Sequence, residues 1–108
     1  MAQDFENAIA RAQGTTAAAI LTSNSDDAII GIRVANIVST TIAVDIYIVR
    51  SSANYYICKG LSIPPNSSVE LIQGGAKVVL VNGDVLYGIA DTGNATDVIV
   101  SGIDTISA

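Results

Sequence analysis

Residues 61–89, LSIPPNSSVELIQGGAKVVLVNGDVLYGI, set short apolar runs between Pro-Pro-Asn, Gly-Gly and Asn-Gly-Asp. A helix that stands in water needs roughly 12–15 residues. None of these runs reaches that length, and each suits a strand. Pro64 and Pro65 hold φ near −65° and donate no ladder hydrogen bond, so they end the strand that reaches Ile63. Asn82-Gly83 tolerates φ > 0 at both positions, which predicts a tight hairpin between residues 77–81 and 85–89. The stretch therefore predicts antiparallel β structure.

The same pattern runs through most of the chain. Residues 42–50 are the clearest strand, with Ile42, Val44, Ile46 and Ile48 facing inward and Asp45 and Tyr47 outward. In residues 28–38, Ile30, Ile32 and Val34 share one face, and Ile29, Gly31, Arg33 and Ala35 the other. Both runs fit a period of 2 and fit 3.6 poorly. With residues 15–23, 55–63, 68–72 and 96–106 the chain holds about eight short strands at a spacing of roughly 8–12 residues. That is the pattern of a β-sandwich or a small barrel, and the expected fold is all-β, an antiparallel β-sandwich of jelly-roll or Ig-like type. A parallel α/β sheet is excluded, because no crossover helices lie between strands.

Residues 3–13 read differently. Phe5, Ala8, Ile9 and Ala12 fall at i, i+3, i+4 and i+7, with Asp4 and Glu6 near the start, Arg11 near the end and Gly14 as the stop. This predicts a short helix that must dock, either on its own sheet or as an arm on a neighbouring subunit. The expected organisation is a helix or docking arm over 1–14 and a β-sandwich domain over 15–108.

A chain of 108 residues is one domain, and it is half apolar but only 14% charged. One small core cannot hold all of that apolar surface, so some is expected to face a partner. The net charge is −5, and the bases Arg11, Arg33, Arg50, Lys59 and Lys77 are scattered singly. Without a basic stripe, nucleic acid is not an expected partner. No apolar run approaches the roughly 18–20 residues that span a bilayer. The opening residues lack a secretory apolar region, so a reducing cytoplasm is the expected place of synthesis. Cys58 is single, and reads as a small buried hydrophobe on a strand.

Chemistry is sparse. The chain has no histidine, which removes Ser-His and Cys-His catalysis and the common zinc sites. Gly74-Gly75 and Gly83 lie between strands, whereas a phosphate loop opens a helix. Residues 89–93, Ile-Ala-Asp-Thr-Gly, match the catalytic turn of aspartic proteases. In that family the motif comes early in the chain and a flap follows. Here only fifteen residues follow Gly93, so Asp91–Asn94 reads as a hairpin turn. Asp84, Asp91, Asn94 and Asp97 do not match the EF-hand spacing and read as solvated turn residues. No catalytic, cofactor or metal residue is expected. Tyr55 and Tyr56 alternate across a strand, so one is expected buried and the other exposed. The candidate interface residues are Phe5, Ile9, Tyr55 and Tyr56, and the turn-defining ones Pro64, Pro65, Asn82 and Gly83.

Residues 55–59 (Tyr-Tyr-Ile-Cys-Lys), 61–71 (Leu-Ser-Ile-Pro-Pro-Asn-Ser-Ser-Val-Glu-Leu), 77–86 (Lys-Val-Val-Leu-Val-Asn-Gly-Asp-Val-Leu) and 97–103 (Asp-Val-Ile-Val-Ser-Gly-Ile) follow one another in order. This series resembles small virion structural proteins of tailed bacteriophages, over roughly residues 28–106. Members join an apolar-Pro-Pro-x-Ser-Ser turn to a later Gly-Asp-x-Leu hairpin and close on a Val-x-Val-Ser-x-Ile strand. The resemblance implies a non-enzymatic β-sandwich module of the virion, a capsid decoration (cement) subunit, with tail, neck or fibre-base roles as alternatives. It implies as partners the major capsid protein or tail proteins and further copies of the chain, a trimer among the options. It implies location in the virion after assembly in the host cytoplasm. A carbohydrate-binding sandwich is a further alternative, with four tyrosines and no tryptophan to build a platform.

Overall fold

Alternating Ile and Val residues build this protein, and their branching at Cβ suits the pleat. The computed structural model describes residues 4–13, 15–23, 25–72 and 77–104. Those residues are all-β and contain no helix. The strands are β1 (Asp4–Gln13), β2 (Ala18–Thr22), β3 (Asp27–Asn36), β4 (Ile42–Arg50), β5 (Ala53–Ile63), β6 (Ser68–Glu70), β7 (Val78–Leu80), β8 (Val85–Ala90) and β9 (Thr96–Asp104). They form two antiparallel sheets. One has the order β1-β9-β3-β6, with β7 also on β3, and the other β2-β8-β4-β5.

One apolar core joins the sheets. Ile29, Ile32, Val34, Leu80, Val98 and Val100 come from the first sheet, and Ile42, Val44, Ile46, Ile63, Leu86 and Ala90 from the second. The inward set of β4 holds as expected for Ile42, Val44 and Ile46. β3 departs from strict alternation. Its register shifts between Ile29 and Gly31, so Ile29 faces the core along with Ile32 and Val34 while Ile30 turns outward. A β-bulge of this kind inserts one unpaired residue and restarts the alternation.

The expected helix over 3–13 is not what forms. Asp4–Gln13 is β1, paired residue by residue with β9 from Asp4↔Asp104 to Ala10↔Val98. The segment satisfies both periods, since alternation sets Phe5, Asn7 and Ile9 against Glu6, Ala8 and Ala10. A helix this short gains little by itself, whereas the exposed edge of β9 offers a full ladder. Residues 1–3 and Gly14, the ends of the predicted arm, lie outside the described residues, as do Gly74-Gly75.

The Asn82-Gly83 hairpin is corrected too. β7 pairs with β3, and β8 with β2 and β4, so this turn carries the chain from one sheet to the other. Asp84 N donates to Val81 O at 3.0 Å, and only Gly83 of the two central residues has positive φ, at 95°. That is a type II arrangement, which splays strands where a primed turn would pair them. Pro64-Pro65 ends β5 as expected, and Asn66 at φ 55° then turns the chain across to β6. The expected hairpin at Asp91–Asn94 is likewise corrected to a crossing between sheets, from β8 to β9, because β9 pairs with β1 and β3.

The two-residue hairpin is at Ser51-Ser52, between β4 and β5. Arg50 pairs with Ala53, and φ is 53° and 64° at the two serines. This is primed-turn geometry held by residues poorly suited to it. Replacing Ser51-Ser52 by Asn-Gly is expected to stabilise the protein by about 1 kcal/mol, read as a higher urea midpoint with an unchanged slope.

Two buried polar knots hold the crossings at opposite ends of β3. At one end, the buried Asp84 carboxylate accepts from Arg50 Nε at 2.8 Å, Arg50 Nη2 at 2.6 Å and Val81 N at 3.0 Å. Its main chain accepts from Ser23 N, and Gly83 N donates to Ser23 O. One residue thus joins the β2–β3, β4–β5 and β7–β8 connections. At the other end, Asn36 Nδ2 donates to Thr40 O, Ile63 O and Pro64 O, and its Oδ1 accepts from Val38 N.

The Arg50 guanidinium holds the Asp84 carboxyl below the usual carboxylate range, helped by the Val81 amide and opposed by burial. A depressed folded pKa means the contribution is complete above the unfolded value near ~4. It is lost as pH falls through the lower folded value. Asp84→Asn is therefore expected to cost about 1–3 kcal/mol at pH 7, discounted because Arg50 is open to water on one side. The gap to wild type narrows below pH ~4; urea titrations at pH 7, 4 and 2.5 measure it.

Candidate functional site

The outward faces of the two sheets carry the side chains that the core does not use. On the β2-β8-β4-β5 sheet, register sets one row across the strands: Ala19↔Tyr87, Tyr87↔Tyr47 and Tyr47↔Tyr56. The Tyr47 and Tyr87 rings stack at 5.7 Å and 9°, and Tyr47 and Tyr56 meet at 5.1 Å and 41°. Lys59 Nζ lies 4.6 Å over the Tyr56 ring and pairs with Asp45 at 3.6 Å. Tyr47 is only 8% exposed, although it points away from the core. Its neighbours cover it, and burial, then those tyrosines and Asp45, push its phenol pKa up.

This ridge contains one predicted interface residue, Tyr56, and two that sequence reading missed, Tyr47 and Tyr87. Tyr47 was legible as outward-facing, but its partners depend on register. The expectation that one of Tyr55 and Tyr56 is buried is corrected, since they are 58% and 45% exposed. β5 is an edge strand whose register shifts twice. Gly60 at φ 65° marks the first shift, where its N donates to Asp45 Oδ1 at 2.7 Å. Tyr55 pairs with Ile48, on the face opposite Tyr56.

The other predicted residues lie on the other sheet. Ile9 on β1 is 66% exposed and sits beside Ile99 on β9, itself 44% exposed. The row continues to Arg33 and Glu70, which pair at 3.9 Å. Phe5 stands opposite Ile103 in the same ladder, and its side chain lies outside what is described. The structure thus does not bring the four interface candidates together. Ile9 marks one sheet face and Tyr56 the other.

Residues weighed for chemistry take structural work. Asp91 Oδ1 accepts from Ala43 N and Thr92 Oγ1, both at 3.1 Å. Ala43, Asp45, Ile89, Ala90 and Asp91 line a shallow concavity of about 230 Å³ beside the tyrosine row, further along β4 and β8. Cys58 is half-buried, and its thiol pKa is pushed up by burial. Among the described residues no three His, Cys, Asp or Glu side chains converge as a metal site, and no helix is long and apolar enough to cross a membrane. No family model, curated protein or solved structure matches the chain.

Proposed function

We propose that this chain is a non-enzymatic structural subunit of a tailed-phage virion, a β-sandwich that acts by contact and decorates the capsid as a cement protein. The observation that carries the reading is the pair of outward sheet faces. Both present aromatic or branched apolar side chains although the core between the sheets is already filled. Tyr-rich ridges and exposed Ile pairs are what a protein interface buries at its centre. The turn series of residues 55–103 supplies the virion context through its resemblance. Two polar knots and an interlocked topology suit a module that bears contact on both sides.

A carbohydrate-binding reading fits the same ridge less well. A sugar needs a free ring face to stack upon, and here Tyr87 stacks on Tyr47 from one side, Tyr56 meets it at a tilt from the other, and Lys59 covers Tyr56. Quantitative mass spectrometry of gradient-purified particles from the source of this sequence tests the proposal. Peptides of the chain are expected at a copy number comparable to the major shell protein. A chain absent from purified particles overturns it.

A further inference from the structure

We propose that Asn82 is a latent deamidation site, held unreactive while the Asp84 knot is closed and released when that knot opens. Asn82 is the one asparagine of the chain that glycine follows. Asparagine is chemically labile, and most so before glycine, whose missing side chain lets other groups approach the backbone closely. In the reaction Gly83 N gives up its proton to solvent and bonds to Asn82 Cγ, and the side-chain amide leaves as ammonia. Water then opens the succinimide to aspartate or isoaspartate, and no other co-reactant is needed. Exposure and space favour these steps. Val81, Asn82 and Gly83 are exposed, and nothing lies within 4 Å of a Cβ built at Gly83.

Hydrogen bonding and turn geometry oppose them. Gly83 N, the attacking atom, donates to Ser23 O at 2.9 Å. A type II turn sets ψ at roughly +120° at Asn82. Ring closure needs Asn82 Cβ and Gly83 N eclipsed about the Cα–C bond, and that ψ holds them apart. The peptide must therefore turn over before it reacts. Three further bonds resist this: Asp84 N to Val81 O at 3.0 Å, Ser23 N to Asp84 O at 2.8 Å and Val81 N to Asp84 Oδ2 at 3.0 Å. Arg50 fastens the same carboxylate at 2.6 and 2.8 Å, through a side chain that is half open to water. A connection tied by a half-exposed ion pair at the end of the fold opens locally, at lower cost than separating the sheets. Each opening that reacts is recorded. Isoaspartate lengthens the main chain between residues 82 and 83, so Gly83 N and Asp84 N no longer reach Ser23 O and Val81 O together.

The coupling does not rest on the virion reading. Peptide mapping by mass spectrometry of the full-length protein, aged in mildly alkaline buffer with and without urea, tests it. Asn82 of the folded protein is expected to react more than about tenfold slower than in the urea-unfolded chain. Arg50→Gln, folded by circular dichroism, is expected to speed the folded-state reaction by about tenfold. Asp84→Asn acts on the same bonds from the carboxylate side and is expected to shift the rate in the same direction. Asn36→Ala loosens the opposite end of β3 and is expected to leave the Asn82 rate within about twofold of wild type. A folded-state rate equal to that in urea overturns the proposal. So does a rate that neither Arg50→Gln nor Asp84→Asn raises, or an acceleration by Asn36→Ala as large as theirs, which assigns the reaction to unfolding of the whole chain.

Discussion

Asn36→Ala is expected to lower stability by about 2–4 kcal/mol, because it strands several buried main-chain groups at once. Asn36 is 2% exposed. Its amide serves Thr40 O at 2.8 Å, Ile63 O at 3.0 Å and Pro64 O at 3.0 Å, and its oxygen takes Val38 N at 3.0 Å. The backbone contributes in the same place, where Asn36 N donates to Ser67 O and Ile37 N to Ala95 O. The residue therefore fastens the end of β3, in one sheet, to the end of β5, in the other. Alanine keeps the strand but leaves three carbonyls and one amide without their partner, and water reaches only some of them. Asn36→Asp is expected to be worse at neutral pH. A carboxylate keeps the acceptor for Val38 N but sets negative charge against three carbonyl oxygens. Urea denaturation of both variants measures this, and an Asp variant as stable as wild type contradicts the assignment.

Gly102→Ala carries the second large effect, about 2–3 kcal/mol, with Gly102→Val larger still. Gly102 pairs with Ile29 on β3, beside the bulge at Ile30. A Cβ added there would sit 2.9 Å from Ala28 O and 3.2 Å from Ile29 Cδ1. The first of these is backbone inside a sheet, so it does not give way as a flexible side chain would. The substitution therefore forces β9 away from β3 at the point where the two lead the sheet past the bulge. Gly31 is the control. A Cβ there meets nothing nearer than Glu70 Oε2 at 3.6 Å, and Gly31→Ala is expected to cost less than about 1 kcal/mol. A thermal melt that ranks the two alanine variants the other way contradicts this account of the bulge.

The contrast between these residues and the readable ones shows where the sequence is informative. Ile42, Val44 and Ile46 announced both their strand and their buried face, because alternation is a local property that one strand displays without help. Pro64 likewise marked the end of β5, since it cannot continue a ladder. Pairing is not local. Val78–Leu80 and Val85–Ala90 flank an Asn-Gly turn and still pair with different strands, because β3 already presents an edge to β7 and β4 one to β8. Once Gly83 is in positive φ and Asn82 is not, the turn crosses between sheets. The helical pattern of Phe5, Ala8, Ile9 and Ala12 failed for a related reason. The strand pattern was present in the same residues, and a ladder on β9 decided between them.

The candidate faces were legible only in part. Excess apolar surface was visible in the composition, and Ile9 and Tyr56 do lie outward. The tyrosine ridge was not visible, because Tyr47, Tyr56 and Tyr87 are widely separated in the chain and share a row only through two registers, one of them shifted by a bulge. Asn36 and Asp84 gave no sign of their role. An Asn at a strand end and an Asp after Asn-Gly look like ordinary turn residues until the carbonyls, amides and guanidinium around them are placed.

The central claim is that the protein works by lodging its outward sheet faces against neighbouring chains on a virion. A particle map resolved to secondary structure tests this most directly. The account predicts density for a two-sheet module on the capsid surface, with the Tyr47–Tyr87 ridge or the Ile9–Ile99 strip covered by another chain. A particle without this module, or one in which both faces look into solvent, contradicts it.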